Sequence, residues 1–305
     1  MSSAKNATFL FNRDFMEYHK DRFEDYSLLC FDKDKLVGIL PANIVGNKVY
    51  SHQGLTYGGV VIKSEIRFEK YILIFRTILK FFSENKIQTI YIKDLPLIYS
   101  NSASEELEFI HFLLDSSLHQ VDISSSIFKN NTRNISNSRL SGYKKGVKYN
   151  LCIIEEEMLD SFWKEILIPN LRNKHDVSPT HNIEEILNLK KRFPKNIRQF
   201  NVYHDKKLVA GTTIFETKNV VHSQYISGNS EKNILGSLDF LFYELIFNIF
   251  KEKQVFDFGV STEKSGKSIN KGLLFWKEGF GARATTYKTF KISTSSYNRL
   301  DNVFL

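Results

Sequence analysis

Cysteine is nearly absent: Cys30 and Cys152 are the two in 305 residues. They lie far apart in strand-like settings with no partner motif, which excludes a disulfide framework and predicts reduced core thiols in a cytoplasmic protein. No His and Cys residues stand at ligand spacing, so no metal is expected; His175 and His181, six apart with Pro179 between them, do not match a helical metal pair. Long apolar runs are missing too. YILIF (71–75) and FLFYELIFNIF (240–250) are too short or too charged to cross a bilayer, which takes about 20 apolar residues. The opening MSSAKNATFLFNRDF has no basic start followed by a long apolar core, so no secretory signal is expected. A long heptad run is likewise absent, which excludes a coiled-coil arm.

Apolar material for globular packing is plentiful: hydrophobic residues make up 42%, and phenylalanine alone fills 26 positions. The length suits two domains. Lysine and arginine exceed aspartate and glutamate by 42 − 34 = +8, which favours anionic partners such as a phosphate-bearing cofactor, RNA or an acidic membrane surface. The same excess fits an ordinary solvated surface.

A repeat organises the chain. FDKDKLVGI (31–39) returns as YHDKKLVAG (203–211), and the offset of 207 − 35 = 172 also lays VYSHQG (49–54) over VHSQYI (221–226). In each half a strand meander, SLLCFD, KLVGILPANIV and KVYSHQG first, then IRQFNVYHD, KLVAGTTIFE and NVVHSQYISG, precedes a buried helix and a strand. The helices are residues 66–84 and 237–252; the strands are IQTIYIKDL (87–95) and QVFDFGVS (254–261). That order predicts an α+β fold with mixed, mainly antiparallel sheets in two domains, 1–145 and 146–305. Between the halves, NNTRNISNSRLSGYKKGVKYN (130–150) reads as an exposed linker or helix. EEEMLDSFWKEILIPNLRNK reads as helical, and Thr180 precedes a second helix whose first turn carries Glu184 and Glu185.

Several residues could carry chemistry. In strict alternation His222 and Gln224 share one strand face and Tyr225 the other, so the first two could line a cleft, with His222 as a base. The competing reading is a solvated strand face. Asp257 in FDFG would be costly to bury without partners, so it faces a cleft or anchors a loop. Lys264, Lys267 and Lys271 form a lysine-rich loop able to meet phosphate, and Lys277 follows in FWKEGFG. Gly54, Gly58 and Gly59 around Tyr57 let backbone approach a ligand or simply make a turn. Arg133, Arg139, Lys144 and Lys145 suit an anionic sugar or diphosphate, or a solvated face.

The element order, with HDVSPTHNIEEI, HSQYISG, FDFGVST and FWKEGFGA, resembles the Fem-type aminoacyl transferases, which carry two tandem GNAT-like domains, over roughly residues 25–292. The resemblance implies a splayed sheet that admits an acyl donor and catalysis by His222, Gln224 and Asp257. It implies cofactor binding by Tyr225, Asn233, Gly236, Ser237 and Lys271, and substrate binding by Tyr57, Gly58, His175, His181, Arg133 and Lys277. The donor would be acyl-CoA or aminoacyl-tRNA. The acceptor would be an amine of a cell-envelope precursor for peptidoglycan or polysaccharide, or of a lipid- or nucleotide-linked sugar, with tRNA and a peripheral membrane contact among the partners. NSEKNILGSLD (229–239), with Gly236 its one glycine, departs from the glycine-rich phosphate turn of acetyl-CoA enzymes. An acetyl-CoA-dependent N-acetyltransferase and a non-catalytic binding protein for an anionic glycan or RNA are the rival readings.

Overall fold

The computed structural model describes residues 3–130, 134–175 and 177–305, without the side chains of 174 and 175, so Arg133 and the side chain of His175 lie outside the described residues. In chain order the main elements are β1 (Leu28–Asp32), β2 (Lys35–Leu40), β3 (Asn43–Val45), β4 (Lys48–Tyr50), β5 (Val61–Ile62), α1 (Phe68–Glu84), β6 (Thr89–Lys93), α2 (Glu106–Leu113) and β7 (Ser117–Phe128). There follow α3 (Asn137–Lys148), β8 (Cys152–Glu156), the helical run α4 (160–175), α5 (Ile183–Arg192), β9 (Ile197–His204), β10 (Lys207–Glu216), β11 (Val220–Gly228), α6 (Ser237–Glu244), β12 (Val255–Val260), α7 (Lys271–Glu278) and β13 (Arg283–Ser293). The second meander and both buried helices form where the repeat places them, whereas the strands of the first meander divide between two sheets.

Two compact units result: 1–122 with 264–266 and 286–305, and 123–263 with 267–285. The division differs from the expected 1–145 and 146–305. The physical reason is that the chain's last strand returns to the first unit, where Ser293 to Thr289 of β13 pair with Thr89 to Lys93 of β6, and Ile292 and Leu300 join the core under α1. Periodicity along the chain cannot report such a long-range pairing.

In the first unit, α1 buries Tyr71, Ile72, Ile74, Phe75, Ile78, Leu79 and Phe82. KLVGILPANIV is not one strand. Pro41 has no N–H to give a ladder, and the segment splits into β2, paired with β1 and β5, and β3, paired with β4 in a different sheet. Cys30 is half-buried and its thiol is pushed up to about 11 by burial, whereas Cys152 is exposed and so is not a core thiol.

His19 and His52 stack with ring centroids 4.6 Å apart, both buried. Burial holds each imidazole down at about 4. The fold thus favours the neutral rings while the unfolded chain takes up protons from about pH 6.5, so stability present above that pH is lost as pH falls toward 4. Denaturant midpoints should therefore drop across this window, less steeply in His19→Phe. Equal slopes would contradict the assignment.

In the second unit the strand order is β7, β12, β11, β10, β9, β8, with a core that includes Phe242 of α6, Phe200, Phe256 and Phe258 of the sheet, and Phe280 from the turn after α7. Glu155 and Glu156 belong to β8 rather than to a helix. The start of α5 is capped by Asn182: its side chain accepts from the Glu185 N–H while the Glu185 carboxylate accepts from the Asn182 N–H.

Candidate active site at a strand fork

The two neighbouring strands β11 and β12 run parallel, but their pairing covers only Val220–His222 against Val255–Asp257. Beyond that point β11 stays with β10 and β12 stays with β7. The sheet therefore forks. Parallel strands that part at their C-terminal ends leave main-chain groups and a crevice for a ligand, the place where open α/β sheets bind.

His222 and Asp257 sit at the apex. Asp257 is fully buried (0% exposed), and the partners of its carboxylate include Ser124 Oγ at 2.6 Å and Ser126 Oγ at 2.9 Å on Oδ1, and His222 Nδ1 at 2.8 Å on Oδ2. Since the Ser126 hydrogen goes to Asp257, its oxygen accepts from Thr285 Oγ1, 2.8 Å away. Burying this carboxylate is tolerable only because it is so bonded. The anticipated cost is met by a strand that sequence reading did not connect to it: β7 aligns Ser126 opposite Asp257. Three consecutive serines, Ser124 to Ser126, in an otherwise ordinary strand were the available signal.

Past the apex, Gly259 takes φ +76°, and a Cβ there would lie 3.2 Å from His222 Cε1. Lys277 of α7 is 1% exposed, and its Nζ donates to the carbonyls of Gly259 at 2.7 Å and Val260 at 2.8 Å. Burial pulls its ammonium down to about 8, against the opposing pull of Asp257. Lys277 thus holds the β12 arm of the fork instead of lying on a binding surface.

The β11 arm carries a bulge. Thr213 faces Tyr225 but Ile214 faces Ser223, so Gln224 is the extra residue and strict alternation fails there. Gln224 does not share a face with His222. Its side chain turns to the Tyr225 hydroxyl, which is also met by Thr180 and by His181, whose Nδ1 is 2.7 Å away; burial pushes that phenol up to about 12. Gln224, Tyr225 and His181 thus meet at the Tyr225 hydroxyl, a contact that strict alternation along the strand does not predict.

A cavity of about 730 Å³ adjoins the β11 arm, lined by Ile226 and Ser227, by Asn233, Gly236 and Asp239 around the start of α6, by Arg139 and Lys145 of α3, and by Trp276 of α7. A π-helical turn, Trp163–Leu167, lies within α4, and Asn170 beyond it donates to Ser227 Oγ and to the Gly228 carbonyl. Gly236 has φ +67°, and a Cβ on it would stand 2.1 Å from the Gly142 carbonyl oxygen. Helix α3 therefore backs this turn on the side that faces Gly142, while Gly236 borders the cavity on another. Ser237 is buried, while Lys271 is exposed at the start of α7. Asp239 accepts from Arg139 Nη1 at 2.5 Å and Trp276 Nε1 at 2.8 Å.

Tyr57 and Gly58 belong to the first unit. Tyr57 is buried and donates to Thr8 Oγ1 at 3.0 Å, and Gly58 lines a cavity of about 220 Å³ with Asp94, Glu106 and Lys288. Among the described residues there is no cluster of three or more potential metal ligands, and no helix is long and apolar enough to cross a membrane.

No family model matches the chain, and no curated protein sequence matches it significantly. Solved structures do. FemX superposes with a TM-score of 0.68 at 11% identity, covering 98% of this chain and 95% of its own. L-PGS from Bacillus licheniformis gives 0.57 at 11% identity, over 92% and 91%. A tandem GNAT protein from the clavulanic acid biosynthesis pathway gives 0.52 at 9% identity, over 88% and 82%. The forked sheet, the order of elements in the two units and these superpositions agree: the chain has the Fem-like tandem GNAT fold.

Proposed function

We propose that the second unit transfers an aminoacyl group, carried as an ester at the end of an RNA, to an amine of a cell-envelope precursor or a nucleotide-linked sugar. The observation that carries acyl transfer is the fork itself, a parted strand pair with a buried His222–Asp257 pair at its apex and a 730 Å³ cavity beside one arm. Acyl transfer needs positioning and proton removal more than a covalent nucleophile.

Two features favour an RNA carrier over coenzyme A. Helix α3 packs against the Gly236 turn, so a pyrophosphate approaching from that side meets the Gly142 carbonyl oxygen and not open amides. The chain's positive charge is concentrated here as well: the second unit holds 24 − 17 = +7 and the first 18 − 17 = +1. Excess charge of one sign raises the local concentration of a polyanion. The likeness to FemX supports the envelope acceptor.

A thermal-shift titration tests the donor. A bulk pool of aminoacylated tRNA is expected to raise the melting temperature saturably, in a salt-dependent way, while acetyl-CoA leaves it unchanged. A saturable rise with acetyl-CoA would instead establish the acetyltransferase reading, and tRNA binding without any aminoacyl transfer would establish a binding protein.

A further inference from the structure

The polar array under the fork does more than neutralise a buried carboxylate. Asp257 is an acceptor toward all its partners. Its Oδ1 accepts from the hydroxyls of Ser124 and Ser126, and Oδ2 faces His222 Nδ1 at 2.8 Å. The imidazole hydrogen is thereby fixed on Nδ1, and Nε2 carries the lone pair. The Cε1–Nε2 edge lies along Gly259, where the strands have parted, and 11% of the side chain stays exposed while Asp257 has none. One edge of the ring is thus built into the core and the other faces the fork.

We propose that His222 accepts the proton of the incoming amine during transfer, and that Asp257, itself held by Ser124 and Ser126, is the residue that positions it. This rests on the acyl-transfer reading. In the step, the amine nitrogen bonds to the acyl carbon as its N–H proton passes to His222 Nε2. The bond from the acyl carbon to the carrier's ester oxygen then breaks, and the imidazolium returns that proton to the departing oxygen. No oxidant, metal or covalent enzyme intermediate is needed. Ser124, Ser126 and Thr285 touch no reacting atom and act through Asp257.

The tautomer is measurable without any substrate. Nitrogen-15 NMR of the imidazole is expected to place the hydrogen on Nδ1 in the wild-type protein. In Asp257→Asn the carboxamide can donate to Nδ1, so the hydrogen should move to Nε2 and transfer from bulk aminoacyl-tRNA should fall roughly 100-fold or more. Ser126→Ala, a milder change that keeps the carboxylate, should retain the Nδ1–H form with a smaller loss. A wild-type hydrogen on Nε2 would overturn the proposal, as would His222→Gln transferring at the wild-type rate. Failure of the donor assignment looks different: transfer from acetyl-CoA would refute the RNA carrier while the Nδ1–H tautomer and its loss in Asp257→Asn persisted.

Discussion

Lys277→Met is expected to reduce transfer roughly 100-fold by loosening the β12 arm of the fork, the scale on which a misplacement of about 1 Å slows a reaction that depends on positioning. The side chain is almost wholly buried, and its Nζ bridges the Gly259 and Val260 carbonyls on the β12 arm. Methionine fills a similar volume but leaves both carbonyls without that donor, at a cost of about 1–3 kcal/mol each if water cannot reach them. Because burial brings this ammonium down to about 8, its charged fraction falls as pH rises through that value. Activity that depends on the charge should therefore decline above about pH 8 in the wild type. Arginine stays charged there, so Lys277→Arg, where it folds, should lose the decline. The check is a pH–rate profile for all three proteins, and a profile flat to pH 9.5 in the wild type would deny Lys277 an electrostatic role.

Gly142→Ala should destabilise the second unit by about 3 kcal/mol. A Cβ at this position would stand 1.8 Å from Asp239 Oδ2 and 2.6 Å from Asp239 Cβ. Asp239 cannot swing aside freely because Arg139 and Trp276 hold it. One turn on, Gly146 would meet Phe240 Cβ at 2.5 Å. The two glycines, four residues apart on one face of α3, are what allow that helix to lie on α6 and back the Gly236 turn. Pushing α3 away should therefore also widen the cavity. Ser141→Ala, one residue earlier and exposed, is the control and should change stability by no more than about 0.5 kcal/mol. Denaturant unfolding of both variants decides it; equal midpoints would show that α3 yields without cost.

The role of these glycines is not legible in the sequence. The segment 130–150 looks like a basic linker because its lysines and arginines dominate its composition, and only the packed structure shows that Gly142 and Gly146 form a contact face. The repeat, by contrast, was legible. Turn residues, strand runs and buried helices depend on local spacing, so the KLVGI and KLVAG copies, both long helices and the strand carrying Asp257 appear where the pattern places them. His222 and Asp257 were legible as chemistry-bearing types, and their meeting follows from parallel pairing of adjacent strands. Ser124 and Ser126 were not, since their partner lies more than 130 positions along the chain. The Gln224 bulge was hidden for a related reason: one inserted residue reverses the faces, and nothing in HSQYISG declares it.

The central claim is that a carrier's aminoacyl end enters the fork and is held by side chains, not by the amides at the start of α6. A crystal structure with the alanyl amide of 3′-amino-3′-deoxyadenosine, a non-hydrolysable mimic of an aminoacylated RNA terminus, tests it most directly. The alanyl carbonyl is expected between the β11 and β12 arms, within reach of His222, and the adenosine in the cavity near Arg139, Lys145 and Asn233. An empty fork with the mimic bound elsewhere, or coenzyme A displacing α3 to reach the Gly236 turn, would contradict it.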